Sequence, residues 1–253
     1  MRSHSQVVSQ QFGTTAASYL TSAVHAQGAD LQELAQIAAQ IDQAQVLDLG
    51  CGGGHASFAV APHAKKVVAY DLSPEMLGVV STAAAERGLD NLVVRQGSAD
   101  KLDFPDASFD LICTRYSVHH WRNLPQALRE VFRVLKAGGR FIVIDTAAPA
   151  DVLADTYVQA IELLRDTSHV RNISLSSWRK LLAEAGFRLA SDKTWKLRLE
   201  FTSWVARMRT PADNITAIKA LWNSAPGEVK TYFELDDQYS FSIDVAMLDA
   251  RKG

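Results

Sequence analysis

The stretch Val46-Leu47-Asp48-Leu49-Gly50-Cys51-Gly52-Gly53-Gly54 decides the fold. Val46 to Leu49 is a short apolar run of the buried-strand type, and the glycine cluster after it opens a helix of about ten residues. Strand, glycine turn and helix in that order form the place where an open α/β sheet holds a nucleotide-like ligand. Glycine lets the backbone turn sharply and approach a ligand closely. Amides at the start of the following helix can meet a negative group. Taken alone, a glycine cluster is equally a plain turn.

Outward from this stretch the pattern repeats. Lys66 to Tyr70 (KVVAY) reads as a second strand ended by Asp71. Ser73 then caps a helix with Pro74 at its first position, and Gly88 stops that helix after Arg87. Leu92 to Gln96 and Phe109 to Thr114 read as strands. Pro125 to Leu135 is a helix, and Arg140 to Asp145 (RFIVID) is a fifth strand beyond the Gly138-Gly139 turn. Strands alternating with helices predict a parallel sheet covered on both faces.

The flanks differ. Ser5 to Ile41 reads as helical, with a break at Gly28-Ala29-Asp30. After Asp145, residues 147–172 read mostly as helix, Leu175 to Ala185 as an amphipathic helix, and Arg188 to Leu199 as a strand. Residues 201–225 are helical with a break at Pro211, and Ser240 to Leu248 is a last strand. Three segments are expected: an arm over 1–44, an α/β core over 45–146, and a cap with the closing strands over 147–253. The last carries Trp178, Trp195, Trp204 and Trp222, read either as core packing or as an aromatic lid.

Composition narrows the function classes. The 253 residues include 26 basic and 28 acidic side chains, a net charge of −2, so no polybasic field exists to hold nucleic acid. Cys51 and Cys113 have neither disulfide-framework nor zinc spacing. The start MRSHSQVVSQQ lacks the apolar core of a signal peptide, and no apolar run has the length of a membrane span. The expected location is the reducing cytoplasm.

Two details of the glycine turn restrict its ligand. His55 stands where the dinucleotide pattern needs a third glycine, and no Lys-Ser/Thr follows as in a phosphate-binding P-loop. Asp71, at the end of the second strand, is placed to accept from two ribose hydroxyls, of NAD or of S-adenosylmethionine.

Four motifs in order, VLDLGCGGG, VVAYDLSPEML, QGSADKLDFPDASFDLI and VLKAGGRFIVID, resemble the class I S-adenosylmethionine methyltransferases. The small-molecule branch that includes the ubiquinone/menaquinone C-methyltransferases is the most similar. The resemblance covers residues 45–146 strongly and 5–30 and 175–187 moderately. It implies a doubly wound, Rossmann-like, mostly parallel seven-stranded sheet with helices on both faces and helical substrate-cap insertions. It also implies a cofactor path. Gly50, Gly52 and Gly53 pass under the methionine part, and Asp48 orders its amino group. Asp71 takes the ribose hydroxyls, and Leu72 and Met76 pack near the adenine. A backbone amide of Ser98-Ala99-Asp100 and the Asp100 carboxylate meet the adenine edge. Arg115 meets the amino-acid end through its carbonyl, or else its guanidinium pairs on the surface. In the arm, Tyr19 reaches the methionyl carboxylate or merely docks the helix together with Phe12; His25 is a weaker candidate.

Methyl transfer from a sulfonium depends mainly on alignment, which can supply up to ~10 kcal/mol. A base helps only where the acceptor carries a proton. His119 and His120 follow the fourth strand at its carboxyl end, where ligands bind, and histidine titrates in the right range. Adjacent histidines point in different directions, so one is expected to face the site, with His120 the candidate base. A histidine here is also a common structural or cofactor contact in the family. No metal site is expected. Tyr116, Arg165, His169 and Arg171 are candidate contacts to a small-molecule acceptor, a phenol- or quinone-like ring by the resemblance. The chain shows no long apolar run for an isoprenoid tail, and its C-terminal region exceeds the quinone enzymes' compact core. Three alternatives remain: S-adenosylmethionine chemistry without methyl transfer, a degenerate binding module, and an NAD-dependent dehydrogenase. His55, the Ser98-Ala99-Asp100 motif and the lack of a Tyr-xxx-Lys pair oppose the last.

Overall fold

The computed structural model describes residues 3–13 and 28–253. Helix α1 (His4–Gly13) and helix α2 (Ala29–Ala39) precede the first strand, β1 (Gln45–Leu49). The glycine turn leads into α3 (His55–Val60), then β2 (Lys66–Asp71), α4 (Pro74–Glu86), β3 (Leu92–Gln96) and β4 (Phe109–Arg115). After a 3₁₀ turn at Val118–His120 come α5 (Leu124–Val134) and the long β5 (Leu135–Ala148). The remainder runs α6 (Val152–Arg165), β6 (Ile173–Ser174), α7 (Leu175–Glu184), β7 (Phe187–Leu199), α8 (Phe201–Arg207), α9 (Ala212–Ser224), α10 (Gly227–Tyr232) and β8 (Phe241–Lys252).

Seven strands form one path in the order β3-β2-β1-β4-β5-β8-β7, and the two-residue β6 pairs beside the end of β5. The first five are mutually parallel, whereas β8 lies antiparallel between β5 and β7. The chain steps outward from β1 to β2 and β3, then crosses back to β4 on the other side of β1. That reversal opens a crevice outside the carboxyl ends of β1 and β4.

Alternation along β1 shows how the core is divided. Val46 points into one layer with Leu34, Phe58, Val80 and Leu111. Leu47 points into the other, with Leu128, Val131, Phe141 and Trp178. Burial on both faces explains why the strand reads as an unbroken apolar run. Helix α5 places Leu124, Leu128, Val131 and Val134 on one buried stripe, the spacing of an amphipathic helix. A third cluster joins α6, α8, α9 and α10 to the start of β8 around Trp204, Trp222, Phe233 and Phe241. Trp178 and Trp222 are therefore packing residues, while Trp204 is buried and also borders the cleft at the carboxyl ends of the strands.

Local signals placed most element ends. Ser73 Oγ accepts from Met76 N at 3.2 Å, capping α4, and Asp151 caps α6 through Ala154 N at 2.9 Å. The helix after the glycine turn is shorter than expected. Pro62 sits in the 3₁₀ turn Ala61–His63 that succeeds α3, and its missing amide proton prevents continuation. The last helix of the 147–172 stretch ends at Arg165, and the chain then runs without regular structure to β6. Among the described residues no helix is long and apolar enough to cross a membrane.

Candidate active site

Because β1, β2, β4 and β5 are parallel, their carboxyl ends open on one cleft of about 310 Å³. The glycine turn forms one wall. Gly50 N and Cys51 N both donate to Tyr70 O, at 2.8 and 3.1 Å, which fastens the turn to the end of β2. Gly50 and Gly52 have φ of +72° and +48°, the left-handed region that glycine enters most readily.

Asp71 holds the turn from the other side. Its Oδ2 accepts from Gly52 N and its Oδ1 from Ser73 N, each at 2.9 Å. Burial pushes its pKa up, opposed by these amides. Each carboxylate oxygen retains a further lone pair for a hydroxyl donor. Asp48 is fully buried. Its Oδ2 accepts from Ser57 N at 2.9 Å and Ser57 Oγ at 2.6 Å. Its Oδ1 meets the thiol of Cys113 at 3.9 Å, a weak donor. Burial pushes the Asp48 pKa up to about 6, against the Ser57 hydrogen bonds. Burial first, and these aspartates second, push both cysteine thiols well up, so Cys51 and Cys113 are unreactive.

Leu72 and Met76 line the cleft beside Asp71, as do Gly53, Ser98, Ala99 and Asp100. Ser98 Oγ donates to Asp100 Oδ1 at 2.5 Å, which fixes that loop. Arg115 lines the cleft as well, but its guanidinium does not pair on the surface. Nε donates to Asp30 Oδ2 at 2.6 Å, with the two side chains 6% and 7% exposed. This buried pair ties the end of β4 to α2. Tyr19 and His25 lie outside the described residues.

The opposite wall begins at the end of β4. Tyr116 has φ +51°, an uncommon conformation for a bulky residue that costs of order 1–3 kcal/mol. Its amide donates to Ile144 O at 2.8 Å, so strand pairing holds it there. Asp145, at the end of β5, organises the turn from Ser117 to His120. Its Oδ2 accepts from Ser117 N at 3.2 Å and Val118 N at 2.7 Å. Its Oδ1 accepts from Thr146 N at 2.7 Å and from His119 Nδ1 at 2.6 Å. Burial alone would lower the His119 pKa, but the Asp145 charge and hydrogen bond hold it above the usual histidine value. Burial alone would raise Asp145, yet His119 and the amides hold it below the usual carboxylate value. The two shifts agree in describing an ion pair.

His120 is placed differently. Its Nδ1 lies 3.1 Å from Ser168 O and 3.2 Å from Ser168 Oγ, and its ring meets Phe12 of α1 edge-on at 4.9 Å. Burial, then the neighbouring His119, push its pKa down. His169 Nε2 lies 3.0 Å from Gln159 Oε1, and burial, then the other two histidines, push it down to about 2. Arg165 pairs with Glu162 at 3.1 Å and donates to Trp204 O; Arg171 pairs with Asp155. Both of these cations are thus matched by carboxylates. Leu197, Leu199, Trp204, Met208 and Ile243 complete an apolar flank. Among the described residues no group of three or more His, Cys, Asp or Glu side chains is placed to hold a metal ion.

Comparison with known proteins bears on what such a cleft serves. A methyltransferase-domain family matches residues 47–143. The chain is 48% identical to the uncharacterised protein YafE of Escherichia coli over 80% of its own length and 98% of that protein's. It is 38% identical to the uncharacterised methyltransferase YcgJ of Bacillus subtilis over 88% of each. The crystal structure of YcgJ superimposes with a TM-score of 0.84, covering 88% of this chain and 97% of that one. The chain belongs to the class I S-adenosylmethionine-dependent methyltransferases. The demethylmenaquinone methyltransferase of Lactococcus lactis is 36% identical over 47% of each chain.

Within this methyltransferase, every expected cofactor residue that is described lines the same cleft: Asp48, Gly50, Gly52, Gly53, Asp71, Leu72, Met76, Ser98, Ala99, Asp100 and Arg115. His119, His120, Tyr116 and Arg165 line it too, whereas His169 and Arg171 do not. Sequence reading missed Asp145 as the partner of His119. The signal was available only through topology, because it depends on β4 and β5 pairing in parallel with Arg115 opposite Ile144.

Proposed function

We propose that this methyltransferase holds S-adenosylmethionine in the glycine-turn half of the cleft and methylates a small molecule held in the histidine-lined half. The acceptor atom is an oxygen or carbon of a phenol- or quinone-like ring. The 45–146 segment is the cofactor-binding core, 1–44 its covering arm, and 147–253 the cap on the acceptor side. The observation that carries the reading is that one continuous cleft joins the Asp71-anchored turn to the His119-Asp145 wall. The donors and acceptors present fit the cofactor. Asp48 Oδ1 is buried and, among the described residues, hydrogen-bonded only by the weak thiol donor of Cys113, which suits an ammonium. Asp71 keeps acceptor capacity on both oxygens, which suits a ribose diol. A Cβ at Gly52 would meet no atom of the described residues within 4 Å, which leaves room for a ligand beside the turn.

S-adenosylmethionine supplies an electrophilic methyl on a sulfonium whose sulfur keeps the electron pair of the broken bond. The chain's own task is to align the acceptor and exclude water. The menaquinone enzyme aligns with under half of this chain, so that resemblance does not extend to the acceptor. The paired Arg165 and Arg171 remove the reason to expect a strongly anionic one.

Calorimetric titration with S-adenosylmethionine, S-adenosylhomocysteine and NAD tests the reading. Binding of the first two and not of NAD is expected; binding of NAD alone overturns it. A second expectation comes from Asp48. With its pKa at about 6, the carboxyl is about half protonated at pH 6, and a cationic amino group beside it favours the charged form. S-adenosylhomocysteine binding should release up to about half a proton at pH 6 and almost none at pH 8. Titrations in buffers of different ionisation enthalpy measure this. Asp48→Asn should abolish the release, and a release unaltered in that variant assigns the proton elsewhere.

A further inference from the structure

The Val118–His120 turn offers two imidazoles to the cleft, and the neighbours of each decide what it can do. Asp145 Oδ1 accepts a hydrogen bond from Nδ1–H of His119 at 2.6 Å. That hydrogen bond fixes the tautomer, so neutral His119 carries its lone pair on Nε2. No described residue forms a hydrogen bond with Nε2, and the ring lines the cleft. The arrangement is rigid. Three backbone amides hold Asp145, and His119 O accepts from Val170 N at 2.8 Å and Arg171 N at 3.2 Å. His120 has no carboxylate on its ring; its Nδ1 is committed to Ser168.

We propose that His119 Nε2 is the proton acceptor of this site, that Asp145 is its positioning residue, and that the substrate class is a weakly acidic hydroxyl, phenol or enol. The inference rests on the methyl-transfer reading and deepens it. A carboxylate or a free amine already offers a lone pair and needs no base. A phenol must lose a proton to become strongly nucleophilic. In that step the acceptor O–H bond breaks, its electron pair stays on oxygen, and an N–H bond forms at Nε2. The resulting imidazolium is stabilised by Asp145, and its proton passes to solvent when product leaves. The apolar flank of Leu197, Leu199 and Ile243 suits the ring of such an acceptor.

The titratable and charged groups facing His119 are Asp145 on β5, Glu162 on α6 and Asp166 just after it, all favouring the charged ring. His120 and His169 lie 4.2 and 5.8 Å away between ring centroids. Both are held neutral by burial. Only neutral His119 accepts a proton, so turnover should rise with pH through the His119 pKa.

The test is a pH titration of ring-¹⁵N histidine in the full chain bound to S-adenosylhomocysteine, compared with His119→Gln, His120→Gln and Asp145→Asn. One ring, absent from His119→Gln, should titrate above the ordinary histidine value, with its proton on Nδ1 when neutral. Asp145→Asn should lower that pKa by about one unit or more, while His120→Gln leaves the ring titrating above the ordinary value. A His119 ring that titrates at or below the ordinary value, or that is protonated on Nε2 when neutral, overturns the proposal. Should Asp145→Asn fail to fold, the wild type and His119→Gln still decide. Adding a chromophoric nitrophenol to the same complex should shift the His119 signals and show phenolate absorbance below the phenol's own pKa. No response to nitrophenol, with a response to aniline, overturns the hydroxyl class. Failure of S-adenosylhomocysteine to bind counts against the proposed methyltransferase function, whereas the tautomer and pKa of His119 in the unliganded chain still judge the pair.

Discussion

Asp71→Ala is expected to weaken S-adenosylhomocysteine binding by about 100-fold. The carboxylate oxygens sit 2.9 Å from Gly52 N and Ser73 N and keep the lone pairs that we assign to the ribose hydroxyls. A hydrogen bond to a charged group contributes about 1.5–3 kcal/mol. Losing two, offset in part by water entering the vacated space, leaves about 3 kcal/mol, which is roughly 100-fold in affinity. The same deletion frees the Gly52 amide, so the turn also loses the hydrogen bond that presents it. Asp71→Asn keeps one acceptor oxygen and should fall between the two, at roughly tenfold. Calorimetry on both variants, with thermal unfolding as a control, separates a binding loss from a folding loss. An affinity within twofold of wild type for Asp71→Ala removes the ribose role.

The parts of this methyltransferase that sequence reading located are those set by neighbours in the chain. The apolar run at Val46–Leu49, the Ser73-Pro74 start of α4 and the glycine turn carry their signals within a few residues. The half of the cleft that we assign to the cofactor is built from just such segments, so the residues that line it are legible in the sequence. The acceptor half is not. The His119–Asp145 contact spans 26 residues and the Arg115–Asp30 contact spans 85. Each exists only because parallel pairing or helix docking brings distant segments together. The sequence singles out His120 as the candidate base, whereas our proposal, which depends on contacts across the fold, moves that role to His119. Contrary to the expectation that one of them faces the site, both rings line the cleft, 4.2 Å apart between centroids, and what distinguishes them is the partner each Nδ1 meets, Asp145 for His119 and Ser168 for His120. Strand β6 and helix α10 went unread for a simpler reason. Two and six residues are too few to display a period.

Gly50→Ala should destabilise the chain, and it should damage both halves of the cleft. A Cβ on Gly50 would lie 1.9 Å from Ser117 Oγ and 2.7 Å from Ser117 Cβ. A rotamer change can move the Oγ, but only backbone movement relieves the second contact. Alanine at φ +72° costs about 1–2 kcal/mol, and forcing a methyl into packed space about 1–3 more. The sum is roughly 2–5 kcal/mol, which for a chain of this size lowers Tm by roughly 5–15 °C. Ser117 does not move alone. Its Oγ accepts from Trp121 Nε1 at 3.1 Å and its amide donates to Asp145, so the displacement reaches the carboxylate that orients His119. Gly52→Ala is the contrast. A Cβ there meets nothing among the described residues within 4 Å, so its cost to the unliganded chain is the strain of φ +48°, about 1–2 kcal/mol. Its methyl instead occupies space that the proposed cofactor needs. Thermal unfolding should therefore rank Gly50→Ala well below Gly52→Ala, while both lose most of their affinity for S-adenosylhomocysteine. If Gly52→Ala binds as tightly as wild type, the ligand does not pass over this turn, and the cofactor path from Asp48 to Asp71 has to be redrawn.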